Sequence, residues 1–311
     1  MSTVDRDCLH RFVFDQHNVR GELVHLNASF EAALANHPYD DASRRVLGHA
    51  LAAAALLTSI LKFDGKLTLQ LQGEGSLRLL VAQCTSRLTL RGLVHMDDGV
   101  AADAGLGEIA GNGRLVITIE PRKGQRYQGI VPLEGDSVAA CLEQYFARSE
   151  QLPTRLWLAC DENSVVGMML QKMPDEPGAQ IAARATTPAA GAAPPLAGDP
   201  DAWNRLTLLA GTITDDELLS LADVQILHRL FHEEDVRLFD RDPVSFRCTC
   251  SRARIAEALQ RLGETDLEDI LRERGKVSTT CEFCNKRYVF DGVDVAALFQ
   301  KAASRPSDTQ H

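Results

Sequence analysis

Cys248-Thr249-Cys250 and, after a spacer of thirty residues, Cys281-Glu282-Phe283-Cys284 decide the fold of the C-terminal part of this chain. Two closely spaced thiol pairs supply the ligand number of a tetrahedral, all-thiolate zinc site. The second pair continues into Asn285-Lys286, which suits a tight knuckle whose turning backbone presents both sulfurs to one ion. We therefore predict one zinc ion bound by Cys248, Cys250, Cys281 and Cys284.

The spacing of these cysteines leaves alternatives open. Cys-x-Cys is a less usual ligand pair, and the spacer exceeds the common range of about 15–20 residues. An iron–sulfur site and a metal-free thiol switch remain alternatives, because each pair can also oxidise within itself. The other four cysteines are scattered, and free cysteine usually behaves as a small buried hydrophobe. We expect that role for Cys8, Cys84, Cys141 and Cys160.

Composition and charge argue against several classes of protein. The chain has 311 residues, 45% of them hydrophobic, and a net charge of −10, which disfavours nucleic acid and anionic membranes as partners. Residues 247–291 hold nine basic and eight acidic side chains, so they form no basic patch. The most apolar stretch, Ala50–Leu61, is shorter than the roughly 20 residues that span a bilayer, and its Ala/Leu composition predicts a buried helix. Met1–Cys8 resembles no signal peptide, and we expect a cytoplasmic protein, where paired cysteines more often bind metal or sense redox state.

The hydrophobic pattern predicts an α+β fold in three parts. Residues 1–178 form an N-terminal domain with a mixed or antiparallel sheet and flanking helices, because strands and helices do not alternate strictly. Its helices are predicted at Ser29–Asn36, Asp41–Lys62 and Asp136–Arg148. Its nine strands are predicted at His10–Asp15, Val19–Leu26, Lys66–Gln72, Leu77–Cys84, Leu88–Val94, Arg114–Glu120, Gln125–Val131, Arg155–Cys160 and Ser164–Lys172.

Residues 179–243 read as a linker. Its first part, the tract 182–200, contains eight Ala and four Pro and cannot bury a core, so we expect it to be mobile. Amphipathic helices follow, opened by a capping box at Thr214–Glu217. Between Ile213 and Pro243 there are nine acids and three bases beside a broad apolar face. This helical segment has no core of its own and must lie on another surface.

Residues 244–311 form the third part, a small C-terminal zinc-binding domain with few apolar residues. We predict a helix capped by Ser251, a second capping box at Thr265–Glu268, and a hairpin flanking Cys281 and Cys284. A core this weak often needs a metal ion.

No catalytic motif appears, and we expect no enzyme. His228 and His232 lack the His-Glu-x-x-His pattern of a metalloprotease and suit surface or packing roles. Two rival functions remain: a thiol–disulfide oxidoreductase using Cys281 and Cys284, which lacks its βαβ context here, and a zinc-ribbon nucleic-acid binder, which the charge balance disfavours.

The chain resembles the redox-regulated 33-kilodalton heat-shock chaperones of bacteria. The resemblance covers nearly the whole sequence and departs mainly at the Ala/Pro tract, which looks like an insertion. The stretches that carry it are Val19–Leu23, Leu61–Gly65, Leu69–Gly73, Arg126–Val131, Leu133–Asp136, Tyr145–Arg155, Phe231–Glu234 and Phe246–Arg252.

The resemblance implies a chaperone that is inactive when reduced and bound to one zinc ion. Oxidants would form the disulfides Cys248–Cys250 and Cys281–Cys284, release the zinc and unfold the linker and C-terminal domain. The reduced form would be a monomer and the oxidised form a homodimer. The active form would hold unfolding client proteins without ATP and pass them to ATP-dependent chaperones.

Overall fold

The structure is a computed structural model that describes residues 7–174, 199 and 201–303. It has the α+β architecture predicted from the sequence. The described chain separates into two compact units, a large one that ends at Arg247 and a small one that starts at Cys248 and includes residues 35–37. The Ala/Pro tract lies outside the described residues except for Asp199. Within the described ranges, no helix combines the length and apolarity needed to cross a membrane.

One antiparallel sheet of the large unit, sheet A, joins strands from both ends of that unit: β1 (Cys8–Phe14), β2 (Val19–Leu26), β8 (Thr154–Cys160), β9 (Val165–Lys172), β10 (Val236–Leu238) and β11 (Asp242–Pro243). The order is β10–β1–β2–β9–β8, and β11 also pairs with β1. Strands β10 and β11 were not predicted, and they tie the end of the linker to the first strand of the chain.

Sheet B contains the central strands of the large unit: β3 (Gly65–Gln72), β4 (Leu77–Thr85), β5 (Thr89–Met96), β6 (Arg114–Pro121), β7 (Tyr127–Pro132) and β12 (Ser245–Phe246). The order is β12–β5–β4–β3–β6–β7. Every pair is antiparallel except β12 with β5. All nine strands predicted for residues 1–178 are present as β1–β9, with ends that differ by at most two residues.

A buried helix packs against both sheets. The first four helices are α1 (Ala28–Leu34), α2 (Asp41–Ser59), α3 (Leu106–Ala110) and α4 (Val138–Tyr145), the last followed by a π-helical turn at Phe146–Glu150. Helix α2 contacts strands of sheets A and B, and its residues from Ala50 to Leu57 are at most 2% exposed. Asp40 begins this helix by accepting a hydrogen bond from the Ser43 amide, 2.8 Å long. Its many alanines let the two sheets approach closely, as the Ala/Leu pattern indicated.

The opposite face of sheet A is covered by the linker helices α5 (Ala202–Ala210), α6 (Asp215–Ser220) and α7 (Asp223–Phe231). The predicted capping box is present, since the Thr214 hydroxyl accepts from the Glu217 amide and the Glu217 carboxylate accepts from the Thr214 amide. Alternation along β9 explains the two-sided burial: Val165 and Met169 face α2, whereas Val166, Met168 and Leu170 face the linker.

The small unit consists of α8 (Arg252–Gln260), α9 (Glu264–Arg274), a hairpin of β13 (Val277–Thr280) and β14 (Arg287–Phe290), and α10 (Gly292–Ala303). Ser251 caps α8, as predicted, and the left-handed Gly275 ends α9. The capping box predicted at Thr265–Glu268 is wrong. The N-cap of helix α9 lies two residues earlier, at Gly263. Gly263 adopts a φ of 101°, which glycine tolerates, and it has no side chain that could cap the helix.

Candidate metal centre

The first cysteine pair lies where the chain enters the small unit. Cys248 and Cys250 occupy the irregular segment before α8 and are half-buried. The Ser251 hydroxyl accepts a 3.2 Å hydrogen bond from the Arg254 amide, and the Arg254 guanidinium donates to the Thr249 carbonyl at 2.8 Å. These local bonds fix the turn between the cysteines and the helix, and so hold the Cys-x-Cys segment in place.

The second pair forms the predicted knuckle between β13 and β14. The Asn285 amide donates to the Cys281 carbonyl at 2.7 Å, and the Cys281 amide donates to the Lys286 carbonyl at 3.0 Å. Asn285 adopts a φ of 52°, a left-handed conformation that asparagine tolerates better than most residues. This tight turn reverses the chain around Cys281 and Cys284.

The four sulfur atoms converge. The Sγ atoms of Cys248 and Cys281 are 3.6 Å apart, those of Cys250 and Cys284 are 3.4 Å apart, and all four lie within 4.8 Å of one another. All eight cysteines of the chain are free thiols. Zinc–sulfur bonds of about 2.3 Å in a tetrahedron place sulfurs about 3.8 Å apart. The donor set and its spacing therefore fit a zinc ion after small side-chain shifts.

The thiols of this cluster are not equivalent. Burial acts to raise the pKa of Cys250, but hydrogen bonds from Tyr288 and from the other three thiols outweigh it and lower this pKa to about 7. The Tyr288 hydroxyl donates to the Cys250 sulfur at 3.2 Å. Burial and the hydrogen bonds among the thiols raise the pKa values of Cys248 and Cys284. Cys250 is accordingly the thiol among these three that loses its proton most readily.

Few apolar side chains support the cluster. The fully buried core of the small unit, within its described residues, consists of Leu259, Leu267, Val277, Cys281, Tyr288, Phe290 and Val295. Arg252 stacks 4.2 Å above the Phe290 ring and also donates to the Val289 carbonyl and the Asp294 carboxylate, both at 2.7 Å. A core this small leaves the unit dependent on whatever holds the four sulfurs together.

In the large unit, an apolar surface is covered by the linker. This linker-covered face is formed by Phe12, Phe14, Val19, Leu23, Ala159, Val166, Met168 and Leu170 of sheet A. The linker contributes Leu206, Ala210, Leu218, Ile226, Leu227, Leu230 and Phe231 to the same buried cluster. Without the linker, these eight side chains of sheet A would form a contiguous exposed patch of the kind that binds other proteins.

Polar contacts fasten the linker at the margins of this face. Glu234 accepts hydrogen bonds from Arg205 at 2.9 Å and pairs with His17 at 3.1 Å. Burial acts to raise the pKa of Glu234, but Arg205 and His17 outweigh it and lower the pKa. Asp223 is fully buried between His10 and His25, whose hydrogen bonds and charges overcome the effect of burial and lower its pKa to about 2. Both acids therefore remain ionised in the docked linker at neutral pH.

The remaining predicted residues lie where their pattern indicated. Cys8, Cys84 and Cys141 are buried and Cys160 is half-buried, so the expected burial is confirmed for the first three. His228 and His232 are exposed and stack loosely, with ring centroids 6.0 Å apart. Sequence reasoning missed Asp223, because its partners His10 and His25 lie about two hundred residues away. The available signal was an acid at the start of an otherwise apolar helix face.

Comparison with known proteins gives one consistent result. The family model described as "Hsp33 protein" matches residues 7–291. Relatives named "33 kDa chaperonin" are 46% identical in Nitrosococcus oceani and 47% identical in Pseudomonas aeruginosa strain LESB58. The alignments cover 99% and 98% of this chain, respectively, and 99% of each relative. The fold is also that of the crystal structure of the 33 kDa chaperonin of Thermotoga maritima, with a TM-score of 0.77 at 24% identity, covering 96% of this chain and all of that one.

Proposed function

This chain belongs to the Hsp33 family of chaperones, and from that premise we propose that it is a redox-regulated, ATP-independent holdase. It would be inactive while Cys248, Cys250, Cys281 and Cys284 are reduced and hold one zinc ion. Oxidation would activate it to bind unfolding proteins under oxidative stress. The observation that carries this proposal is the convergence of four free thiols from two distant motifs in a unit with a small core.

The four thiols would act as a removable clamp. Bound zinc supplies about 10–16 kcal/mol of apparent folding free energy in small metal-dependent domains. The two thiol pairs are separated by a spacer that includes α8 and α9, and the sulfur cluster is where both ends of that spacer meet. Links within Cys248–Cys250 and Cys281–Cys284 would close only very short loops, and short loops constrain the unfolded chain least. The oxidised small unit would therefore lose its main long-range restraint and unfold.

Peroxide can serve as the oxidant of the two thiol pairs. Each thiol pair gives up two electrons and two protons as its sulfur–sulfur bond forms, and one peroxide is reduced to two waters. Three thiols of the large unit are poor competitors: burial raises the pKa values of Cys84 and Cys160 to about 12 and also raises that of Cys141. Protonated thiols react slowly with peroxide. The lowered pKa of Cys250 supports oxidation that begins at the C-terminal cluster.

We further propose three functional parts with boundaries at 1–178, 179–243 and 244–311. In this scheme the linker-covered face of sheet A is the client surface, and linker release exposes it. The active form would be a homodimer and the reduced form a monomer, and clients would pass to ATP-dependent chaperones. The protein would act in the cytoplasm, without catalytic turnover and without nucleic acid or membrane as partners.

The experiment compares the reduced, zinc-loaded protein with peroxide-treated protein. We expect released zinc, loss of four free thiols, stronger binding of a hydrophobic dye and suppressed aggregation of a thermally unfolding client. Cys281→Ser should lose zinc and the redox response, whereas the buried control Cys141→Ser should keep both. Equal suppression by the reduced and oxidised wild type would refute the switch. Catalytic turnover of a small disulfide substrate would favour the oxidoreductase instead.

A further inference from the structure

A second cluster of metal-ligating side chains lies in the large unit, beneath the linker. Cys8 and His10 occupy alternate positions of β1 and share a face, and Cys8 lies directly across from His25 of β2. Asp223, the first residue of α7, meets them from the linker. The four side chains are buried, with exposures of 3% for Cys8, 7% for His10, 1% for His25 and 0% for Asp223.

The ligand atoms of three of these residues are grouped tightly. The Cys8 sulfur, a ring nitrogen of His10 and a carboxylate oxygen of Asp223 all lie within 4.8 Å of one another. His10 Nδ1 contacts Asp223 Oδ2, and His25 Nε2 lies 2.5 Å from Asp223 Oδ1. The last two atoms are buried and form an ion pair, so the Asp223 carboxylate lies between two imidazole rings. A thiol, an imidazole and a carboxylate that converge in a buried place are the donor types of a metal site.

We propose that Cys8, His10 and Asp223 form a second metal site, suited to Zn²⁺, with His25 orienting the carboxylate of Asp223. Thiolate, imidazole and carboxylate are the donors that zinc binds, and the mixed set disfavours the hard ions Ca²⁺ and Mg²⁺. Bonds of about 2.0–2.3 Å require ligand atoms roughly 3.3–3.6 Å apart. The present contact of His10 with Asp223 is shorter, so the carboxylate must rotate away from the ring to admit the ion.

This site would have a mechanical consequence. Cys8 and His10 belong to the first strand of the sheet, whereas Asp223 begins a linker helix whose far end carries Leu230 and Phe231. An ion bound here would fasten α7 to β1 independently of the four C-terminal cysteines. Occupancy should therefore slow hydrogen exchange of the α7 amides.

The test is metal stoichiometry and ¹¹³Cd NMR on the full reduced chain. We expect two metal equivalents and two cadmium resonances, one from a four-thiolate site and one from a mixed nitrogen, oxygen and sulfur site. Cys8→Ser and Asp223→Asn should each remove the mixed-ligand resonance and reduce the stoichiometry to one, while the controls Cys141→Ser and Asp216→Asn keep both. Circular dichroism would verify that each variant is folded, with His10→Gln as the alternative variant.

Two results would overturn the inference. One equivalent and a single four-thiolate resonance in the wild type would show that hydrogen bonds alone hold the cluster. Two resonances that both survive in Cys8→Ser and Asp223→Asn would place the second ion elsewhere. Failure of the proposed function looks different: an absent C-terminal zinc site would remove the four-thiolate resonance and leave the mixed-ligand one, and a failed redox switch would show as equal aggregation suppression before and after peroxide.

Discussion

Replacing Phe231 by alanine should release the linker without touching a cysteine. Phe231 is 2% exposed and packs T-shaped on Phe14, with ring centroids 5.0 Å apart and planes at 89°, and it also contacts Phe12 at 6.4 Å. Truncating a buried phenylalanine costs about 3–5 kcal/mol, including roughly 0.5–1.5 kcal/mol from the aromatic pairs. Since each 1.4 kcal/mol is about tenfold, the equilibrium constant for linker docking should fall by roughly two to three and a half orders of magnitude.

The assay measures client aggregation in the presence of reduced, zinc-loaded protein, with hydrogen exchange of residues 201–243 as a monitor of docking. Phe231→Ala should suppress aggregation without peroxide and lose amide protection in the linker. Val224→Ala, on the same helix but 63% exposed, is the matched control and should behave as wild type. If Phe231→Ala loses linker protection and still fails to suppress aggregation, the linker-covered face is not the client surface. Leu206→Ala provides a second variant if Phe231→Ala does not fold.

Three further predictions concern the large unit and the metal centre. Burial raises the pKa of Glu22 to about 8, against the opposing hydrogen bond from Ser59. Because an acid with a raised folded pKa stabilises the protein least above that pKa, Glu22→Gln should raise the free energy of unfolding by about 3 kcal/mol at pH 7 and by under about 1 kcal/mol at pH 5. Chemical denaturation at the two pH values measures this gain, and a gain that does not change with pH would contradict the prediction. Gly21→Ala would place a Cβ 2.1 Å from the Phe12 ring, so thermal melts should show a loss of about 1–3 kcal/mol, and an unchanged melting temperature would mean that the ring moves freely. Chelation of zinc under reducing conditions should unfold residues 248–303 and leave the amides of sheet B protected in hydrogen exchange. Retained protection in the small unit would show that its apolar core is enough to keep it folded without metal.

Local patterns were sufficient for much of this fold. Alternation predicted β1–β9, and composition predicted the buried α2, because both signals depend on neighbours in sequence. The four-cysteine cluster was equally predictable, since two short motifs carry all its ligands. The short strands β10–β12 were missed, because two or three residues carry no periodicity and their partners are supplied by distant strands.

The surface on which the linker packs could be identified only from the three-dimensional structure. Its amphipathic helices indicated that some surface must receive them, but not which one. The near-continuous apolar run of β9 was the relevant signal, since a strand buried on both faces needs a second covering layer. Asp223 shows the limit of such reasoning, because nothing near it in the sequence identifies two histidines on β1 and β2 as its partners.

The strands β10 and β12 have a consequence for how a client could be held. They are edge strands of sheets A and B, respectively, and they pair with the backbones of β1 and β5. Beside these strands, the Phe239 amide donates to the Arg11 carbonyl at 2.9 Å, and the Arg247 amide donates to the Leu90 carbonyl at 2.8 Å. Release of the linker would open the β1 edge of sheet A beside the apolar face, and release of residues 244–247 with it would open the β5 edge of sheet B. An open edge accepts an extended chain through main-chain hydrogen bonds, which do not depend on side-chain identity. Release of the linker would thus expose both an apolar face that binds apolar side chains of a client and a sheet edge that pairs with its backbone. This combination suits clients that share no sequence.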